Sequence, residues 1–291
     1  MLNMRIGSNE VTPQNFGMFF LQERFDEIYN QCHETFQEII AFEQFNALAK
    51  SFNEHVQNYQ LLRETTVNHL HYYIWIDEQQ EKAIHLSMDA NNIIHSLLIK
   101  PFLVFPKSDE NYTTNTYVMP IKDEWYVFWG GTNEFVNYHY VHETQRYAYD
   151  LVILKNGTSF NGSALRNEDY YAFNKEVIAP ADGKVIRVVD HLKDNVPGEM
   201  MDIEPAGNLI IIEHPNNEYS MVAHLKYHSS LVQVGDTVRQ GDVIALCGNS
   251  GNSSEPHIHF QVMDSQDYLH CKSIRIRFAH SIEPIQGDFV K

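Results

Sequence analysis

Cysteine is scarce in this chain of 291 residues. Only three are present, Cys32, Cys247 and Cys271, and none of them stands in a C-x-x-C spacing. An odd number of cysteines excludes a framework in which every thiol is paired within the chain. A Cys247–Cys271 bridge would fit the count, but the sequence favours free, buried thiols.

Basic residues are also few. The chain has 21 lysines and arginines against 38 aspartates and glutamates, which gives a formal net charge of −17 at pH 7. A nucleic-acid-binding surface needs a basic footprint, so the composition argues against that class of protein. The same charge disfavours adhesion to anionic membranes or wall polymers through bulk electrostatics.

Long apolar runs are missing. No segment approaches the ~18 consecutive apolar residues of a membrane-spanning helix, so no transmembrane segment is predicted. The N-terminal stretch "MLNMRIGSNEVTPQNF" lacks the basic and then apolar regions of a signal peptide. We therefore expect either a cytoplasmic protein or a shortened chain, and the sequence leaves the compartment open.

The composition, with 43% hydrophobic and 20% charged residues, is that of a folded globular protein long enough for two domains. From Phe16 to about Tyr59, apolar residues recur at helical spacing and predict two or three amphipathic helices. Four short extended runs follow and predict an antiparallel meander. Residues 1–105 are thus interpreted as an α+β accessory domain, and their element order resembles the nuclear-transport-factor-two-like fold.

A proline-marked passage, "KPFLVFPKSDENYTTN", is interpreted as a linker. Beyond it the chain consists of short β-rich runs separated by Gly, Asp, Asn and Pro. Residues 106–291 are therefore predicted to form a second, all-β domain.

The most informative stretch is "SSEPHIHFQVMD", in which His257 and His259 flank one isoleucine at the start of a predicted strand. Side chains at i and i+2 of a strand point to the same face, so the two imidazoles stand side by side. That arrangement suits a metal centre in which one imidazole ligates and the other handles protons. Asp150, at the start of a strand, and His224, at the end of another, are the candidate partners. Sheet scaffolds hold groups at such positions rigidly.

These residues, in this order, resemble the lysostaphin/LytM-type zinc peptidases, which cut peptidoglycan cross-bridges. The resemblance covers about residues 148–264 and includes the runs "VIAPADGKVIRV", "GNLIIIEH" and "VQVGDTVRQGDVIALCGNSGNSSEPHIHF". It implies an all-β sandwich and a zinc-dependent endopeptidase. It also implies peptidoglycan stem or cross-bridge peptides as substrate, and a location in the cell envelope or outside the cell. The oligomeric state stays unknown.

The resemblance also implies residue roles. Asp150 and His259 match zinc ligands, and His224 and His257 match the two active-site histidines beside the metal-bound water. Zinc in hydrolases keeps three protein ligands and leaves one position for water, whose pKa it lowers. A histidine outside the ligand set can take the proton of that water, because its own pKa lies near working pH.

One position departs from the family. Its first ligand is usually the histidine of H-x-x-x-D, but Arg146 stands four residues before Asp150, and a guanidinium has no lone pair to offer. The string "NYHYVHETQRYAYD" contains two substitutes, His139 and His142. Asn-Tyr-His followed by Gln-Arg-Tyr-Ala resembles a variant with the histidine further upstream, which favours His139 as the third ligand, with His142 second.

Two other interpretations compete with the peptidase. A site without its third ligand would be degenerate, and the domain would then be a catalytically silent scaffold that binds peptide or protein. The hairpins "VIAPADGKVIRVV" and "VQVGDTVRQGDVIA" also resemble biotinyl and lipoyl carriers. Neither Lys193 nor Lys226 has the flanking residues of a carrier's acceptor lysine, so this second likeness supports the fold and not the function.

Overall fold

A computed structural model describes residues 10–67 and 69–291. The chain divides into two compact units between Leu103 and Val104, two residues before the boundary predicted from the sequence. Within the described ranges, no helix has both the length and the apolar character needed to cross a membrane. Cys32, Cys247 and Cys271 are free and buried, as the sequence led us to expect.

The first unit has helices followed by an antiparallel sheet. Its helices are α1 (Phe16–Leu21), α2 (Phe25–Asn30), α3 (Glu34–Ile39) and α4 (Phe42–Asn53). The strands are β1 (Tyr59–Val67), β2 (Leu70–Asp77), β3 (Lys82–Met88) and β4 (Ile94–Pro101), paired in chain order. The described residues of the first unit thus form four helices where the sequence predicted two or three. Glu23, whose φ is 57°, interrupts the helical backbone between α1 and α2, although apolar residues at helical spacing continue beyond it.

The regular secondary structure of the second unit consists mainly of β-strands. It begins with the short helix α5 (Pro106–Asp109), and a 3-10 helix spans Tyr138–Val141. Its strands are β5 (Trp125–Trp129), β6 (Tyr149–Val152), β7 (Glu176–Ile178), β8 (Gly183–Val189), β9 (Asn208–His214), β10 (Glu218–Leu225), β11 (Thr237–Val238), β12 (Val243–Leu246), β13 (Ile258–Met263) and β14 (Phe289–Val290). Eight of them form one sheet in the order β11-β8-β9-β10-β13-β6-β5-β14, and β12 pairs with β7 in a small second sheet.

The passage predicted as a linker is structured on both sides of the boundary between the units. Its start completes β4, and its end packs within the second unit. The buried carboxylate of Glu218 accepts hydrogen bonds from the hydroxyl of Tyr117 at 2.9 Å, from the side-chain amide of Asn115 at 2.8 Å and from the backbone N–H of Thr114. Because a buried carboxylate needs such partners, this contact fixes the segment in place.

The two faces of the large sheet have different surroundings. Ile258, Phe260 and Val262 of β13 belong to the main apolar core, together with residues of the small β12-β7 sheet. Side chains alternate along a strand, so His259 and Gln261 point to the opposite face. The candidate site therefore lies on the face of the large sheet that points away from the main core.

Candidate metal centre

Strand register places the first two predicted ligands beside each other. In the pairing of β13 with β6, His259 stands opposite Asp150, and in the pairing of β13 with β10 it stands opposite Ala223. The Nδ1 atom of His259 lies 2.9 Å from Oδ1 of Asp150. Two atoms this close can reach one ion at the ~2.0–2.2 Å typical of zinc–ligand bonds.

His139 completes the group from a 3-10 helix. Asn137 caps this helix by accepting a hydrogen bond from the backbone N–H of His139 at 3.2 Å. Its side-chain amide also donates to the carbonyls of three residues of the surrounding loop. The buried imidazole of His139 thereby reaches Asp150, with Nε2 3.0 Å from Oδ2. One donor atom from each of His139, Asp150 and His259 lies within 4.8 Å of the others.

The other ring nitrogen of His139 and that of His259 each face a glutamine oxygen. Nδ1 of His139 is 2.8 Å from Oε1 of Gln145, and Nε2 of His259 is 2.9 Å from Oε1 of Gln261. The nitrogens directed at Asp150 are therefore Nε2 of His139 and Nδ1 of His259. Two imidazoles and one carboxylate form a donor set that zinc accepts in hydrolases.

Burial and charge shift the pKa values in this group. Burial opposes ionisation of Asp150, but the charge of His139 and the hydrogen bonds from both histidines outweigh it and hold its pKa well below the usual range. Burial also opposes the charged form of His259, yet its hydrogen bond to Asp150 and the negative charge there raise its pKa. For His139, burial outweighs the attraction of Asp150 and lowers the pKa.

His257 lies beside this group, as the i, i+2 spacing predicted. Its Nδ1 donates to the carbonyl of Glu255 at 2.8 Å, because a carbonyl oxygen can only accept. Its Nε2 lies 4.0 Å from Oδ1 of Asp150. His257 therefore lies next to the cluster, but it is not among the three residues whose donor atoms all lie within 4.8 Å of one another.

His224 reaches the site through an irregularity in β10. Simple alternation would turn it away from Ala223 and into the core. Instead, the register with β9 shifts between Val222 and Leu225, and His224 adopts a φ of 61°. A bulge re-aims a side chain, and the ring of His224 consequently lies 4.6 Å from that of His257, measured between centroids.

One hydrogen bond and a lowered pKa indicate the protonation state of His224. Its Nδ1 donates to the carbonyl of Ser250 at 2.8 Å, which leaves Nε2 as the free nitrogen. Burial, followed by the charges of His257 and His259, lowers its pKa well below the usual range. The neutral form is therefore favoured.

Arg146 and His142 lie outside the cluster. The Nε of Arg146 donates to the carbonyl of Tyr140 at 3.0 Å, and its guanidinium carbon lies 3.7 Å from the ring centroid of Phe105. The side chain of His142 is exposed, and its backbone N–H donates to the carbonyl of His139. Of the two histidines that the sequence offered as third ligand, the structure brings His139 to Asp150.

A cavity of about 140 Å³ opens over the cluster and is lined, among others, by Tyr138, His139, His224, His259 and Gln261. Sequence reasoning missed Asn137, Tyr138, Gln145 and Gln261. The period of two along β13 could have indicated Gln261, which follows His259 on the same face. No spacing rule indicates Gln145, because it reaches His139 through a turn.

The described geometry is that of a β-sheet domain with a buried site of two histidines and one aspartate. Residues 168–271, which lie in the second unit, match the model of Peptidase family M23. His224, His257 and His259 lie inside the matched segment. His139 and Asp150 precede it, so the match by itself does not cover two members of the cluster.

Similarity to individual proteins is confined to part of each chain. The peptidoglycan DD-endopeptidase ShyB of Vibrio cholerae is 36% identical over 87 residues, which are 30% of this chain and 17% of that protein. The murein hydrolase activator EnvC of Escherichia coli also shows 36% identity over 87 residues, again 30% and 17% of the two chains. The catalytic domain of lysostaphin from Staphylococcus simulans is 19% identical, with 59% of this chain and 95% of that one covered and a TM-score of 0.29. The chain thus matches less than a fifth of the length of these two curated relatives.

Proposed function

We propose that the second unit is a zinc-dependent endopeptidase that hydrolyses peptide bonds in peptidoglycan stems or cross-bridges. The observation that carries the proposal is the buried cluster of His139, Asp150 and His259, with two further histidines beside it. The substrate class follows from family M23 and from the name of the relative ShyB.

The cluster fits zinc by its chemistry. Structural zinc sites are closed by four protein ligands, whereas catalytic sites keep three and leave a position for water. His139 Nε2, His259 Nδ1 and an oxygen of Asp150 would supply those three, because each already points into the same small volume. A bound zinc ion supplies Lewis acidity, which lowers the pKa of water and polarises a carbonyl group.

The other two histidines are suited to proton handling. In both His224 and His257 the Nδ1–H is engaged by a backbone carbonyl, so Nε2 of the neutral ring carries a lone pair. A lone pair fixed in this way can accept a proton from water and pass it to a leaving amine. The lowered pKa of His224 keeps it neutral and therefore an acceptor. The Nε2 of His257 lies 4.0 Å from Oδ1 of Asp150, and His257 is the preferred general base of this proposal.

The second candidate function is a catalytically silent domain that binds peptide or protein. Two observations favour it: Arg146 stands where the family usually has its first histidine, and the relative EnvC is named an activator. In that case the cluster would have a structural role, and the cavity above it would bind without turnover.

Zinc content and peptidoglycan digestion, measured on the same purified protein, test the proposal. The peptidase should contain about one zinc ion per chain and release soluble peptides with new amino termini from purified peptidoglycan. A chelator should abolish the release, and added zinc should restore it. The Asp150→Ala variant is the matched inactive control. Full zinc occupancy without any cleavage would favour the binding scaffold, and a protein without zinc would refute the peptidase.

A further inference from the structure

Two glutamines contact the ligand histidines from the side away from Asp150. Gln261 follows His259 by two positions on β13 and is fully buried. Gln145 lies in the turn between the 3-10 helix and β6. Each places its Oε1 within 2.9 Å of the histidine nitrogen that does not face Asp150.

The orientation of the Gln261 amide is fixed by a third group. Its Nε2 donates to the backbone carbonyl of Thr144 at 3.1 Å. A carbonyl only accepts, so the amide nitrogen must face Thr144 and the amide oxygen must face His259. That oxygen requires a hydrogen on Nε2 of His259. The lone pair available to a metal is therefore at Nδ1, the atom beside Asp150.

Thr144 and Gln145 are adjacent, so one dipeptide contacts His139 directly and His259 through Gln261. The Thr144 carbonyl acts on His259 through Gln261, and the Gln145 side chain acts on His139 directly. The turn itself is fixed, because the N–H of Gln145 donates to the carbonyl of His142 at 3.0 Å and the N–H of Ala148 donates to the carbonyl of Gln145 at 2.8 Å.

We propose that Gln145 and Gln261 are positioning residues that set the tautomers of His139 and His259 and thereby raise the affinity of the site for zinc. The proposal rests on the proposed function, because it assumes that the cluster binds metal. Metal-ligating histidines commonly donate their second N–H to an acceptor, and loss of that acceptor typically weakens metal binding about 10- to 100-fold. Here the two acceptors are linked through the Thr144–Gln145 dipeptide.

The first test measures zinc affinity of the full chain by competition with a chromophoric chelator. Gln261→Leu and Gln145→Leu should each weaken binding about 10- to 100-fold. Gln145→Glu keeps an acceptor oxygen for His139 and should retain most of the wild-type affinity. The same substitution at the exposed Gln266 serves as the matched control and should change nothing.

The second test needs no variant and so does not depend on whether a variant folds. Nitrogen-15 NMR of the zinc-loaded full chain should show the proton of His259 on Nε2 and that of His139 on Nδ1. The opposite tautomer at either histidine would overturn the inference for that residue. Wild-type affinity in Gln261→Leu and Gln145→Leu would overturn it while leaving the peptidase proposal intact. A wild-type protein that binds no zinc would overturn both.

Discussion

The Nε2 atom of His139 lies 3.0 Å from Oδ2 of Asp150, although the two residues are eleven positions apart in the sequence. Between them the chain forms the 3-10 helix and a turn before it enters β6. The usual spacing of four residues in the family is therefore not needed to bring a histidine to this aspartate. The side-chain amide of Asn137 donates to the carbonyls of Arg146 and Ala148 and so fixes the 3-10 helix against the segment that leads into β6.

Replacement of His139 should remove metal binding, whereas replacement of His142 should not. His139→Ala deletes a buried donor, so zinc affinity should fall by more than the roughly 100-fold upper range for loss of an outer hydrogen-bond partner. His142→Ala changes an exposed side chain and is the matched control. Chelator competition on both variants checks this. Equal zinc binding by the two proteins would remove His139 from the ligand set.

Introducing a histidine at position 146 should not replace His139. The side chain of Arg146 is directed to Phe105 and the Tyr140 carbonyl, so an imidazole there would point away from Asp150. The double variant His139→Ala/Arg146→His should bind zinc as poorly as His139→Ala alone. Recovery of zinc binding in the double variant would show that the loop can rearrange to the usual spacing.

Replacement of the two histidines of the His-Ile-His stretch should have different effects. One variant should lose turnover but keep zinc, and the other should lose zinc. His257→Ala should keep zinc and lose about 10²–10⁴-fold in rate, the usual contribution of a positioned acid–base group. His259→Ala should lose the metal, because only two protein ligands remain. Zinc content and peptide release on each variant provide the measurement. Loss of zinc from His257→Ala would instead make His257 a ligand.

Zinc affinity should rise with pH through the histidine range. The pKa of His259 is raised by Asp150, so in the metal-free protein a proton occupies Nδ1 up to a pH above the ordinary value of ~6.5. Zinc must displace that proton, and affinity should fall as pH drops through and below the raised pKa. The pKa of Asp150 is lowered, so its carboxylate stays charged over the same window. Affinity that is constant between about pH 5.5 and 8 would contradict the displacement of a proton from His259 by zinc.

Asn137 should be needed for both stability and the site. Its side-chain amide satisfies the buried carbonyls of Gly131, Arg146 and Ala148. Asn137→Ala leaves these acceptors without that donor, at a cost of about 1–3 kcal/mol in the free energy of unfolding. Denaturant unfolding measures that loss, and zinc affinity should fall with it because His139 is no longer held. Asn137→Asp keeps the cap to His139 but lacks the donor. If Asn137→Asp were as stable as the wild type, these carbonyl contacts would not matter.

The sequence by itself determined much of the local structure. Alternation along "HIHFQVMD" predicted that His257 and His259 share a face, because the period of a strand is two. The four strands of the first unit also followed from short apolar runs separated by turn residues. The motifs around Gly-rich turns indicated a resemblance to lysostaphin/LytM-type peptidases, and the match of residues 168–271 to Peptidase family M23 confirms this resemblance. Each of these features depends on residues that are close to one another in the sequence.

Tertiary structure decided the features that depend on distant neighbours. His224 would face the core by simple alternation, and only the bulge against β9 turns it towards His257. The resemblance favoured His139 over His142, and the tertiary structure buries the ring of His139 against Asp150 and leaves the side chain of His142 exposed. Gln145 contacts His139 through a turn, and the side chain of Gln261 is oriented by the carbonyl of Thr144 in the same turn. Sequence spacing does not encode these contacts, because they depend on which backbone groups meet after the sheet has formed.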